Sequence, residues 1–166
     1  MKTARLEVLE NSLSKKEAEL DRRFDQHFSD VRSANGQPLN DKRNGQATLN
    51  RWERQNDGIR RQQESIEKTK ASIEREQGKI DSVEWWYGKM PKYLTDLIDA
   101  GILKQWRKHP RMLFVEGVDK ARLVFDDETG AVAHRYVKSI PTQEQFAIFR
   151  DVFNAVNAEQ REVMAV

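Results

Sequence analysis

The sequence predicts an α+β protein. A long antiparallel helical hairpin, coiled-coil-like, covers residues 1–84, and a small α+β domain of helix, three-stranded antiparallel sheet and helix covers 85–166. Two observations carry this. Trp52, Ile59, Ile66, Ile73 and Ile80 recur every seventh position without a miss, the signature of one apolar helical stripe. From Trp85 onward the apolar residues instead fall in short runs separated by Gly, Pro and Asp, which is strand and turn chemistry.

The first helix is predicted over about residues 3–33. Leu6, Leu9, Leu13, Leu20, Phe24, Phe28 and Val31 follow steps of three, four or seven, and Lys16 sits where the stripe lacks an apolar residue. Asn35, Gly36 and Pro38 supply the chemistry that stops it. A second helix should start between Asn44 and Ala47 and run to about Glu84; at ~1.5 Å per residue it reaches roughly 57 Å. Its companion seam is expected at Leu49, Asn56, Gln63, Lys70 and Gln77, mostly polar, so the stripe is narrow. A homodimer or a docked partner would widen the buried area. Gly58 and Gly78 each cost a helix about 1 kcal/mol relative to alanine, unless they permit a close approach.

Beyond the consecutive aromatics Trp85, Trp86 and Tyr87, Pro91 fits the first turn of a helix carrying Tyr93, Leu94, Leu97 and Ile98. Gly101 closes it, with Ile102, Leu103 and Trp106 expected as a further turn. Strands are expected at Met112–Val115, Ala121–Phe125 and Val132–Val137, with a turn at Asp126–Gly130. After Pro141, the spacing of Phe146, Phe149, Val152, Phe153 and Val156 restores a helix capped by Thr142 or Ser139.

Composition excludes several function classes. Cysteine is absent, which removes disulfides, thiolate metal sites and cysteine nucleophiles. No stretch has the apolar length of a signal peptide core or a membrane span, so the expectation is a cytoplasmic protein with no membrane partner. His27, His109 and His134 lack ligand-spaced neighbours, and Asp126, Asp127 and Glu128 read as a turn, so no metal or other cofactor is expected. No Walker, dinucleotide or G-x-S-x-G motif occurs, and no catalytic residue is assigned; the reading is non-enzymatic. Net charge is only +2, so any electrostatic partner must meet a local patch.

Two patches stand out. The interhelical segment Asn35–Gln46 is rich in Asn, Gln and Gly, with Lys42, Arg43, Arg51 and Arg54 alongside. Turn geometry and a solvated helix face account for the same residues without any ligand. The second patch, Lys104-Gln-Trp-Arg-Lys-His-Pro-Arg111, sits in a stretch from Ala100 to Val115 that has four basic residues and no acid. There Lys104, Arg107, Lys108 and Arg111 could hold phosphates while Trp106 stacks on a base, or Trp106 could simply be core.

The segment Asn35–Gln46, the residues Ile59, Ile66 and Ile73, and the Lys104–Pro110 run together resemble segments of small uncharacterised accessory proteins of phages and plasmids. The resemblance implies a mobile-element context and brings no site residues. Two functions stay open. One is a nucleic-acid-binding accessory protein gripping phosphate with these patches; the other is an adaptor or inhibitor of a host defence or replication complex. The adaptor would dock through the hairpin and the anchors Trp52, Trp85, Trp86 and Tyr87.

Overall fold

A computed structural model describes residues 3–37 and 45–164. The chain is α+β, with four α-helices and a four-stranded antiparallel sheet among these residues: α1 (Ala4–Ser33), α2 (Gly45–Lys89), α3 (Lys92–Asp99), β1 (Leu103–Gln105), β2 (Met112–Val115), β3 (Arg122–Phe125), β4 (Val132–Arg135) and α4 (Gln143–Met164). It divides into two compact units at Gln77/Gly78, inside α2, rather than at residue 84.

In the first unit, α1 starts where Thr3 Oγ1 accepts from the Leu6 amide at 3.3 Å. It ends in a Schellman arrangement: Asn35 and Gly36 take φ of 48° and 68°, the Gly36 amide donates to Val31 O, and the Asn35 amide donates to Arg32 O. Within this unit the isoleucine stripe is buried at Ile59 and Ile66 and half-buried at Trp52 and Ile73; Ile80, also buried, falls in the second unit. The companion seam differs from expectation. Asn56, Gln63, Lys70 and Gln77 are exposed, and the helix turns Gln55, Gln62, Thr69 and Glu76 inward instead. These four, again seven apart, all bond to α1: Gln55 to His27 and Asp30, Gln62 to Lys16 O, Thr69 to Lys16 Nζ, and Glu76 to Thr3. A polar seam of this kind contributes pairing specificity where an apolar one would contribute burial.

In the second unit, α2 runs past the expected end at Glu84 to Lys89, because Trp86 on its last turn and Met90 just past it pack into the core. Pro91 disfavours helical geometry in the preceding residue and so stops it. Pro91 itself is the N-cap of α3, and Gly101, at φ 75°, lies just past its C-cap. The turn expected at Ile102–Trp106 is a fourth strand. Leu103 pairs with Val115, and the reversed chain at Gly101 sends the backbone along β2 instead of around another turn. β4 stops at Arg135, two residues early, because Tyr136 enters the left-handed region at φ 63° and a 3₁₀ turn follows at Val137–Ser139. Thr142 supplies the α4 cap, accepting from the Gln145 amide at 3.3 Å.

Period-two alternation gives the sheet two unlike faces. Leu103, Leu113, Val115, Leu123, Phe125 and Val132 point into a core closed by Leu94 of α3 and Phe149 and Val156 of α4. The other face carries Lys104, Phe114, Arg122 and Arg135, and that face holds the candidate site.

Candidate nucleic-acid interface on the outer sheet face

Strand register places Lys104 opposite Phe114, Phe114 opposite Arg122, and Arg122 opposite Arg135. The four residues form one cross-strand row, and at a strand spacing of about 4.8 Å the row is roughly 14 Å long. Trp106, two residues beyond Lys104, joins the same face. Its ring packs edge-on to Phe114 at 5.7 Å and to His109 at 4.7 Å between centroids.

The centre of the site is Arg122. Its guanidinium carbon lies 4.2 Å from the Trp106 centroid, 4.8 Å from Phe114 and 5.4 Å from Tyr136. Each such contact is worth about 0.5–2 kcal/mol, depending on desolvation. The rings fix the group without neutralising it, and its Nε is enclosed with no acceptor among the described residues. Tyr136 stays 53% exposed although it packs on Arg122.

The loop between β1 and β2 is tied down. The Trp106 amide donates to Met112 O, the His109 amide to Trp106 O and the Met112 amide to His109 O, all at 2.8–2.9 Å. Gln105 Nε2 also donates to Pro110 O at 3.1 Å. Arg107, Lys108 and Arg111 are exposed on this loop. Among the described residues, Lys104, Lys108, Arg111, Arg122 and Arg135 form no ion pair, so the sheet face and its loop carry five uncompensated cations.

The hairpin patch is different. Lys42 and Arg43 lie outside the described residues. Arg51 and Arg54, with Arg22, Arg23, Gln26 and Gln55, line a cleft of about 380 Å³. However, Arg51 pairs with Asp30 at 3.1 Å, and Arg22 and Arg23 both bond to Glu19 at 2.8 Å. Those two guanidinium groups hold the Glu19 carboxyl below its ordinary range. Of these four arginines only Arg54 is left unpaired among the described residues, so the cleft has far less charge to offer than its arginine count implies.

The aromatics expected as partner anchors are mostly spent on packing. Trp52 is half-buried, edge-on to His27, and its Nε1 is enclosed without an acceptor among the described residues. Trp86 packs on the core, and the Tyr87 hydroxyl donates to Asp99 at 2.8 Å. Only Trp85 of the four is well exposed, at 53%.

Lys104 and Trp106 stand out in the sequence as part of the basic run, whereas Phe114, Arg122, Arg135 and Tyr136 do not. The available signal was the alternation in Arg122-Leu-Val-Phe125, which sends an arginine to the face opposite Leu123. Comparison with protein-family models, with curated proteins and with solved structures returns no match.

Proposed function

We propose that the chain is a non-enzymatic nucleic-acid-binding protein that takes single strands on the outer face of its sheet. The observation that carries this reading is the row Lys104, Phe114, Arg122 and Arg135 flanked by Trp106 and Tyr136. A sheet face with an exposed Tyr136 ring, half-buried Trp106 and Phe114 beside it and unpaired cations for phosphate suits unstacked bases, whereas a duplex would ask for an element that fits a groove. Lys108 and Arg111, on the pinned loop, extend the charge beyond the sheet. A role in the accessory machinery of a mobile element rests on the sequence resemblance alone.

Five phosphate contacts to a single strand give a log–log salt slope of about −3.5. Between roughly 50 and 200 mM salt the affinity should then fall about a hundredfold. Fluorescence anisotropy of labelled single- and double-stranded DNA and RNA at both salts tests this. Tighter binding of single strands with a slope of that order supports the reading; no binding at the lower salt sinks it. Docking on a protein complex is the second reading, and the exposed Trp85 is the observation in its favour.

A further inference from the structure

We infer that the small cleft lined by Lys120, Arg122, Tyr136 and Ser139 is a phosphate-monoester pocket that receives the terminal phosphate of the strand lying on the sheet face. This inference rests on the single-strand reading above and assigns the end of the strand.

Size comes first. The cleft is a shallow recess of about 190 Å³, open to solvent and large enough to seat a phosphate group.

Charge comes second. Neither Lys120 nor Arg122 has an acidic partner among the described residues. The nearest carboxylate in sequence, Asp119, is engaged by Gln145 Nε2 at 3.2 Å. Two uncompensated cations match the charge of a monoester, about −1.5 to −2 at neutral pH with three acceptor oxygens, better than the single charge of an internal diester. The three rings around Arg122 offer its N–H groups no acceptor in the guanidinium plane, which leaves its terminal N–H groups available to a phosphate oxygen.

Backbone conformation is the third observation. Asn35, Lys120 and Tyr136 are the non-glycine residues with positive φ among the described ones, and two of the three line this cleft, at 65° and 63°. Both positions are unfavourable for an L side chain, and such strain gathers where a ligand site needs it. At Tyr136 it ends β4 and turns the chain into the 3₁₀ segment that brings Ser139 to the cleft.

The test uses one single-stranded sequence in three forms, with a 5′-phosphate, with a 3′-phosphate and with hydroxyls at both ends, titrated by anisotropy against the full chain and a Lys120→Gly variant. Glycine is the natural occupant of a positive φ, so this change removes the amine while relaxing the backbone. One phosphorylated form should bind about tenfold tighter than the hydroxyl form. Which one it is identifies the strand end, and the preference should grow as pH rises through about 6, where the phosphate takes its second charge. Lys120→Gly should abolish the preference while weakening the hydroxyl form no more than two- to threefold. Equal binding of all three forms by the unaltered chain, or a preference that survives Lys120→Gly, overturns the pocket and leaves the sheet-face reading standing. If no form binds, both fall.

Discussion

The Arg122 guanidinium carbon lies 4.2 Å from the centre of the Trp106 ring, and no carboxylate among the described residues pairs with that arginine. A stacked but unpaired guanidinium is positioned for an outside anion, and the site's properties follow from that relationship. Arg122→Lys keeps the charge and loses the planar stack and fork of donors. It should weaken single-strand binding by about tenfold while changing the salt slope little, since the cation remains. Anisotropy titrations at several salt concentrations separate the two effects.

Lys104 and Arg135 sit at opposite ends of the same row and are exposed. Replacing either with Gln should lower the magnitude of the salt slope by about 0.7 and leave thermal stability nearly unchanged. The same change at Arg51, which is paired with Asp30, should leave the slope where it was. An equal loss at Arg51 would move the site to the hairpin.

The hairpin seam makes its own prediction. Lys16 Nζ donates to Thr69 Oγ1 at 2.7 Å, and Thr69 is only 6% exposed. Thr69→Val leaves the part-exposed ammonium only its 3.4 Å bond to Ser65 O and should cost about 1 kcal/mol. Pairing it with Lys16→Met should recover much of that loss, because two apolar groups can replace a hydrogen-bonded pair at little net cost. Denaturant unfolding of the four proteins in the cycle measures the coupling.

Gly58 and Gly78, both inside α2, should respond differently to alanine. A Cβ at Gly78 meets nothing within 4 Å, whereas one at Gly58 falls 2.7 Å from Arg23 Nη1. Gly78→Ala should therefore gain most of the helix-propensity difference, about 1 kcal/mol, raising the thermal midpoint by about 2–4 °C. Gly58→Ala must first displace the Arg23 head from its place beside Glu19, so its gain should be smaller. Calorimetry of both variants ranks them.

Tyr87 should titrate late. Its hydroxyl donates to both Asp99 oxygens, at 2.9 and 2.8 Å, and these hydrogen bonds hold the phenol above its ordinary value of 10.0. The protonated form is the bonded one. Its contribution to stability is therefore complete below the unfolded value and is lost as pH rises through the higher folded value. The tyrosinate absorbance lost on Tyr87→Phe should rise above pH 10, and Asp99→Asn should bring that rise to lower pH.

How much of this was legible in the sequence depended on how local the determinant was. The helices could be read from Ile59, Ile66 and Leu6, because burial at a fixed period leaves its mark in one segment. Strand β2 could be read from the apolar run Met112–Val115, and β3 from Leu123, Val124 and Phe125 ahead of an acidic turn. Strand β1 could not, since Leu103-Lys-Gln105 carries no pattern of its own and is a strand only because Val115, Phe114 and Leu113 lie beside it. The inward turn of Gln55, Gln62, Thr69 and Glu76 was hidden for a similar reason: polar residues mark a seam only when their partners on the other helix are known. At the site, the basic run around Trp106 was visible as a local excess of charge. Arg122, Arg135 and Tyr136 join it only through strand register, which brings residues about thirty positions apart onto one row. Local charge also misled, because Arg51 looks free in sequence and is neutralised by Asp30 across the hairpin.

A single strand lying on the outer sheet face would be seen in amide and side-chain NMR spectra of the full chain, recorded while an unlabelled single-stranded oligonucleotide is added. The largest shifts should fall on Lys104, Trp106, Phe114, Arg122, Arg135 and Tyr136, including the Trp106 indole N–H and the Arg122 Nε–H. The core-facing Leu113 and Leu123 side chains and the hairpin seam should stay nearly still. Shifts centred on Arg22, Arg23, Arg51 and Arg54 with a silent sheet, or no shifts at all, would contradict that placement of the strand.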